Sequence, residues 1–315
     1  MNTVRLGTRQ TPLAMAQTKL VQHALQQQGI KTTLVPFSTS GDRFLKPLRF
    51  HGGKGLFIKE IEEALLQKDI DIAVHSYKDM PHQDTEGLCV VATPRAEVPQ
   101  DLWVLRQKVP QDLHSQTCLT VGTCSLRRKW QLLHAYPKLR VVDMRGSVGT
   151  RLDKLEKGDV DALILAGAGL QRLGLMPLKA PLSFQWLTIQ QMVPAVGQGV
   201  LALQCRCDDR DTIKHVACLT HQITDARLKI ERAFLRTIEG TCETPVGGYA
   251  DVQKEAVHLI GFLCAPNGDK AAWLQKTVAI KALSSTHDDL CVVGQQFAKA
   301  LMDQHQKSCV SCKPL

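Results

Sequence analysis

Aromatic residues make up only 5% of the chain, which leaves few platforms for stacking the bases of a single strand. No run of Lys and Arg forms a nucleic-acid tail. The longest unbroken apolar stretch, around Ala162–Leu170, falls well short of the roughly 20 residues that span a bilayer. Met1–Gln10 lacks the apolar core of a secretory signal, so the expected location is the cytoplasm. The 11 cysteines then read as free thiols, not as a disulfide framework. Cys309-Val-Ser-Cys312 has no second ligand pair and Cys205-Arg-Cys207 has the wrong gap, so no metal is expected. Ala166–Gly174 follows a strand, as a dinucleotide fingerprint does. Its third glycine comes late and Arg172 stands in the expected place, which argues against NAD. Gly52-Gly-Lys-Gly55 lacks the spacing of a P-loop. No repeat of solenoid period is present.

What the chain does have is positive charge. Lys and Arg number 39 against 30 Asp and Glu, a net charge of +9 over 315 residues. The excess concentrates between Val121 and Lys154 in Arg127, Arg128, Lys129, Lys138, Arg140, Arg145, Arg151 and Lys154, answered only by Asp143 and Asp153. The arginines flank turn residues in two motifs, Gly122-Thr123-Cys124-Ser125-Leu-Arg127-Arg128 and Arg145-Gly146-Ser-Val-Gly-Thr-Arg151. Glycine lets backbone approach a ligand closely. Arginine grips carboxylate or phosphate with a planar fork. With few aromatics, these motifs point to a small acidic ligand and not to nucleic acid.

Met1–Ala92 alternates strand and helix. Val4–Leu6 and Leu34–Phe37 read as strands. Thr11 and Pro12 open a helix with Leu13, Ala16, Leu20, Ala24 and Leu25 at helical spacing. Leu56–Gln67 is a helix burying Phe57, Ile61, Ala64 and Leu65, and Ile70–Val74 is a strand. The pattern repeats from about Asp101, with strands at Leu119–Val121, Val141–Met144 and Ala162–Leu165. Such alternation predicts mostly parallel sheets with helices on both faces and ligands at the strand ends. His75–Asp79, Gly122–Arg128 and Arg145–Arg151 all follow strands. The last hundred residues differ. A helix at Asp225–Ile238 buries Ala226, Ile230, Ala233 and Phe234. A meander at Val257–Leu263 and Trp273–Ile280 follows, then a helix at Asp288–His305.

Lys78 and Asp79 at a strand end could move a proton or stabilise a cation, or form a surface ion pair. Cys242 lies on a Gly/Pro-bounded loop and is a candidate attachment point. Glu239 and Glu243 would raise its pKa, which disfavours a thiolate protease. A non-catalytic two-lobed anion-binding protein and a nucleic-acid binder are the alternatives to an enzyme.

Taken in order, eight segments resemble the porphobilinogen deaminase (hydroxymethylbilane synthase) family almost end to end. They are Thr8–Ala14, Gly52–Phe57, His75–Asp79, Gly122–Arg128, Arg145–Arg151, Ala168–Gly174, Pro194–Gly199 and Glu239–Pro245. The resemblance implies a transferase that joins four porphobilinogen molecules head to tail with loss of ammonia and releases a linear tetrapyrrole with water. It implies a dipyrromethane primer held by a thioether at Cys242. It implies catalysis by Asp79 with Lys78, and cofactor contacts from Lys78, Asp79, Thr123, Ser125, Arg127, Arg128, Arg145 and Gly146. Substrate contacts would come from Arg9, Thr11, Arg145, Arg151, Arg172, Gln198 and Phe57. The implied fold is two α/β, periplasmic-binding-protein-like doubly wound domains, residues 1–95 with 196–213 and residues 100–192, plus an α+β domain at 217–315. The substrate is a small molecule, with no nucleic acid or membrane. A monomer is expected, with transient contact to the next pathway enzyme. Thr11, Cys124, Lys46, Thr241 and Glu243 depart from the usual family pattern.

Overall fold

The computed structural model describes residues 3–39, 58–81, 83–106, 119–178, 180–240, 244–281 and 285–307. The chain opens with β1 (Val4–Arg9), α1 (Pro12–Gln27), β2 (Thr32–Phe37), α2 (Lys59–Leu66) and β3 (Ile72–Ser76). A one-turn 3-10 helix (Tyr77–Asp79) and β4 (Leu88–Ala92) follow. The second run comprises β5 (Asp101–Arg106), β6 (Thr120–Gly122), α3 (Leu126–Ala135), β7 (Arg140–Val142) and α4 (Val148–Lys157). It continues through β8 (Ala162–Ala166), α5 (Gly167–Arg172) and β9 (Leu182–Trp186). Next come β10 (Leu201–Arg206), α6 (Arg210–Ala217) and α7 (Gln222–Ile238). The chain then forms β11 (Val246–Val252), β12 (Ala256–Cys264), β13 (Ala271–Ala279) and α8 (His287–Lys307).

Strand order is β2-β1-β3-β10-β4 in one sheet and β7-β6-β8-β5-β9 in the other, so the two α/β lobes are topological twins. Parallel pairing is confined to β2-β1-β3 and β7-β6-β8. β10 and β5 run antiparallel to both their neighbours. The sheets are therefore less parallel than expected, because each receives one strand from a chain arriving out of the other lobe. Two segments make that crossing, residues 93–100 and 187–200. Their backbones touch: Glu97 N–H donates to Gly199 O at 3.0 Å. Gly199 has φ +87°, and a Cβ there would sit 2.4 Å from Glu97 O. Only glycine suits both demands.

α1 begins as expected, with Thr11 capping and Pro12 in the first turn. Its inward face differs from the expected one. Ala14, Gln17, Thr18, Val21 and Leu25 are buried, while Leu20 is 50% exposed. Polar residues can face inward here because they are satisfied. Thr18 Oγ1 donates to Ala14 O at 2.9 Å, and Gln17 Nε2 lies 2.8 Å from Ser76 Oγ. α2 buries Ile61, Ala64 and Leu65 as expected; Phe57 lies outside the described residues.

In the third module α7 buries Ala226, Ile230, Ala233 and Phe234, as its 3.6-residue spacing requires. Ala226, Ile230 and Phe234 pack with Val257, Leu259, Phe297 and Leu301 into one core. The meander has a strand the pattern did not reveal, β11, in order β11-β12-β13. Gly247 and Gly248 break its apolar alternation. They are there for close approach, since Cβ atoms would lie 2.9 Å from Val193 O and 2.7 Å from the Phe234 ring.

Candidate active site

The carboxyl ends of the parallel strands carry the candidate residues. β1 ends on Arg9, and the capping Thr11 follows, its Oγ1 accepting from Ala14 N–H at 3.4 Å. After β6, Thr123 Oγ1 accepts from Ser125 N–H at 3.2 Å, and Ser125 caps α3. After β7, Gly146 turns with φ +119° and Ser147 caps α4, accepting from Thr150 N–H at 3.1 Å. Helix starts leave N–H groups that favour negative charge.

After β3 the 3-10 turn presents Lys78 and Asp79. Its first residue, Tyr77, donates from its amide to Val200 O at 3.0 Å and accepts from Met80 N–H at 2.9 Å. Burial pushes the Lys78 ammonium down to about 8; the Asp79 charge opposes that shift and the Arg128 charge adds to it. Arg151, on α4 of the second lobe, is also lowered, first by burial. Among its other influences are Arg128 and Arg145, which lower it further, and Asp79, which raises it. Arg151 Nε donates to Gly146 O at 2.9 Å. Among the described residues, Lys78, Asp79, Arg145 and Arg151 form no ion pair within the protein. The two lobes thus bring unpaired charge of both signs into one electrostatic neighbourhood, with cations in excess.

His75 lies beneath this turn and is buried. Its Nε2 is 3.1 Å from Gln204 Oε1, Gln204 Nε2 donates to Glu62 Oε1 at 2.8 Å, and Thr85 Oγ1 donates to Glu62 Oε2 at 2.8 Å. Burial pushes the imidazole down to about 4, so it is neutral near pH 7. This polar chain ties α2, β10 and β3 together below Lys78 and Asp79. No motif announced it.

Four expected ligand-binding residues are engaged by the protein itself. Arg127 Nη2 and Arg128 Nη2 each donate to Asp101 at 2.8 Å, and both guanidinium groups are buried. Arg127 Nη1 donates to Val193 O at 2.5 Å and Arg128 Nη1 to Ile164 O at 3.1 Å. Burial alone would raise the Asp101 pKa, but the Arg128 and Arg127 charges outweigh it and hold the carboxyl well below the usual range. Gln198 Nε2 donates to Asp101 Oδ1 at 2.8 Å and to Pro99 O at 2.6 Å. Arg172 Nη2 donates to Gly199 O at 2.7 Å, and burial lowers it to about 10. These side chains brace the crossing segments, and the Arg127 and Arg128 forks are buried, not displayed to solvent as the charge pattern suggested. Asp101, the centre of the brace, was missed; its one trace in the sequence is an acid heading the apolar run Leu102–Leu105. Cys242, Thr241, Glu243, Lys46, Phe57 and the Cys309/Cys312 pair lie outside the described residues.

No helix among the described residues is long and apolar enough to cross a membrane. Residues 4–214 match the family model for porphobilinogen deaminase, dipyromethane cofactor binding domain, and residues 226–303 match that for the porphobilinogen deaminase C-terminal domain. A porphobilinogen deaminase of Trichlorobacter lovleyi is 40% identical over 302 residues, covering 95% of this chain and 93% of that one. One of Bacillus velezensis is 39% identical over 314 residues, covering 96% of each. Among solved structures, a Salmonella typhimurium periplasmic binding protein of high arginine specificity aligns with 71% of this chain and 94% of its own, at 11% identity and TM-score 0.43.

Proposed function

The chain belongs to the porphobilinogen deaminase family, and from that premise we propose that it is a hydroxymethylbilane synthase. It would condense four porphobilinogen molecules head to tail, lose ammonia at each addition and release the linear tetrapyrrole with water. The observation that carries this reading is the uncompensated charge at the cleft. Among the described residues, Lys78, Arg145 and Arg151 form no ion pair with the protein's own acids, yet Arg145 and Arg128 both weigh on Arg151. Like charges left together oppose folding, and a ligand bringing carboxylates relieves them. Each porphobilinogen carries an acetate and a propionate, so a growing chain is a polyanion.

The family's dipyrromethane primer fits the same donor set. Its carboxylates suit Lys78, Arg145, Arg151 and the amide groups at the Ser125 and Ser147 helix starts, with Thr123 and Gly146 lining the turns and Cys242 as the thioether position. The chemistry the primer supplies when bound is a tethered, nucleophilic pyrrole. The protein's own residues supply the rest. Loss of ammonia from the substrate leaves a cationic azafulvene. Asp79, an acid without a counter-ion among the described residues, stabilises that charge and accepts from pyrrole N–H groups. Lys78 holds a substrate carboxylate. Arg9 and Thr11 approach the same cleft from the first lobe, and Phe57 is assigned to the substrate side. Arg127, Arg128 and Arg172 contribute positive potential, and with Gln198 they hold the crossing segments in place. The proposed enzyme is a cytoplasmic monomer.

Intact-mass measurement on protein from a porphobilinogen-producing host tests this. The expected result is a covalent addition of two pyrrole units, absent in Cys242→Ser. Asp79→Ala should carry the addition yet barely turn over. Wild-type protein that never acquires the mass would overturn the proposal.

A further inference from the structure

Tyr77 heads the turn that presents Lys78 and Asp79, and three parts of the molecule seize it. Its amide is held by Val200 O. Its ring fills the space above Gly197, where a Cβ would come within 2.3 Å of it. Its hydroxyl accepts from Arg232 Nη1 of α7, and the Arg232 guanidinium lies 5.5 Å from the ring centre. The other Arg232 nitrogen, Nη2, pairs with Asp84, which also receives Arg236 Nη2 at 2.5 Å. One guanidinium therefore joins the first residue of the catalytic turn to the loop that leaves it. Both acceptors belong to the first lobe, and the donor belongs to the third module.

The same helix also grips the crossing segment. Arg227 Nη2 donates to Gln198 O at 3.0 Å, and Glu231 Oε2 accepts from Gly197 N–H at 2.7 Å. Glu231 Oε1 also accepts from Ala250 N–H of β11 at 3.0 Å. α7 ends at Ile238, and Cys242 follows it in the chain.

We infer that Arg232 is a positioning residue for the reaction: it registers the Tyr77–Asp79 turn against the helix that leads to the anchoring cysteine. Its link to catalysis rests on the function proposed above; the contact does not. A planar fork can serve Tyr77 and Asp84 together, which a lysine point charge cannot. Without it the buried phenol loses its partner. Small displacements of a catalytic group cost rate steeply, up to about a hundredfold per ångström.

The test compares Arg232→Met, Arg232→Lys, Tyr77→Phe and the Arg232→Met/Tyr77→Phe double variant as full-length, cofactor-loaded protein. Arg232→Met should raise amide exchange at Met80 by about tenfold, the worth of one such hydrogen bond, and leave exchange in Leu259–Cys264 unchanged. kcat should fall about tenfold with KM within about twofold. Arg232→Lys should recover part of kcat, and the double variant should be no worse than the poorer single one. Arg232→Met with wild-type Met80 exchange and wild-type kcat would overturn the inference, and so would full additivity in the double variant. Tyr77→Phe keeps the ring and serves if Arg232→Met does not fold. Exchange is read on protein of any activity, so a chain lacking tetrapyrrole synthesis would sink the functional reading and leave exchange to decide the contact.

Discussion

Arg128 and Asp101 form a two-pronged pair in the interior: Nη2 meets Oδ1 at 2.8 Å and Nε meets Oδ2 at 3.2 Å, with the Asp101 side chain wholly buried. Arg127 shares the same carboxylate. Removing Asp101 leaves two buried cations facing each other, so Asp101→Ala should destabilise by about 3–5 kcal/mol or more. A denaturant midpoint measures it. The Asp101 pKa is depressed in the folded state, so its contribution is present above the ordinary carboxylate range. It is lost progressively as pH falls from that range toward the depressed folded pKa.

Lys78 sets a pH limb of opposite character. Its folded pKa lies near 8, against 10.5 ordinarily. Affinity for a carboxylate ligand should therefore fall as pH rises through about 8, read as a rising KM. Because the neutral form is favoured on folding, this group's share of stability should rise between pH 8 and the ordinary lysine range. Lys78→Arg should move the KM limb upward by keeping the charge. An unmoved limb would remove Lys78 from ligand binding.

Burial and the Arg128 and Arg145 charges lower Arg151, and the proposed function makes it a contact for the anionic substrate. Arg151→Gln should weaken binding of the anionic substrate about tenfold. It should leave the thermal midpoint unchanged or higher, the signature of a functional site held at some cost to stability. A sharp fall in the midpoint would show a structural role instead.

Two glycines separate strain from collision. Gly29 has φ +75° and nothing within 4 Å of where a side-chain methyl would sit, whereas Gly199 adds a 2.4 Å approach to Glu97 O. Gly29→Ala should cost about 1 kcal/mol. Gly199→Ala should cost at least about twice that and alter kcat/KM, because the crossing segments must part. Equal costs in urea titrations would refute the distinction.

Much of this was legible beforehand. The helical spacing of Ala226, Ile230, Ala233 and Phe234, the Thr11-Pro12 start and the strand before Lys78 and Asp79 are local signals, and local signals survive folding. The twin α/β lobes followed from alternation. What escaped is long-range. β10 and β5 are short apolar runs whose partners lie in the other half of the chain. The face of α1 turned on Gln17 finding Ser76. Charge patterning also could not reveal that Arg127 and Arg128 share a buried carboxylate, one 27 residues away in sequence from Arg128.

The exchange of one strand between twin sheets has a consequence for synthesis. When a ribosome has released residues 1–106, the first sheet still lacks β10, which must enter between β3 and β4. That lobe waits, open along its middle, until residue 206 emerges. Nascent chains stalled before that point should be prey for proteases and clients of chaperones, and a gene cut between the lobes would not yield two independent halves.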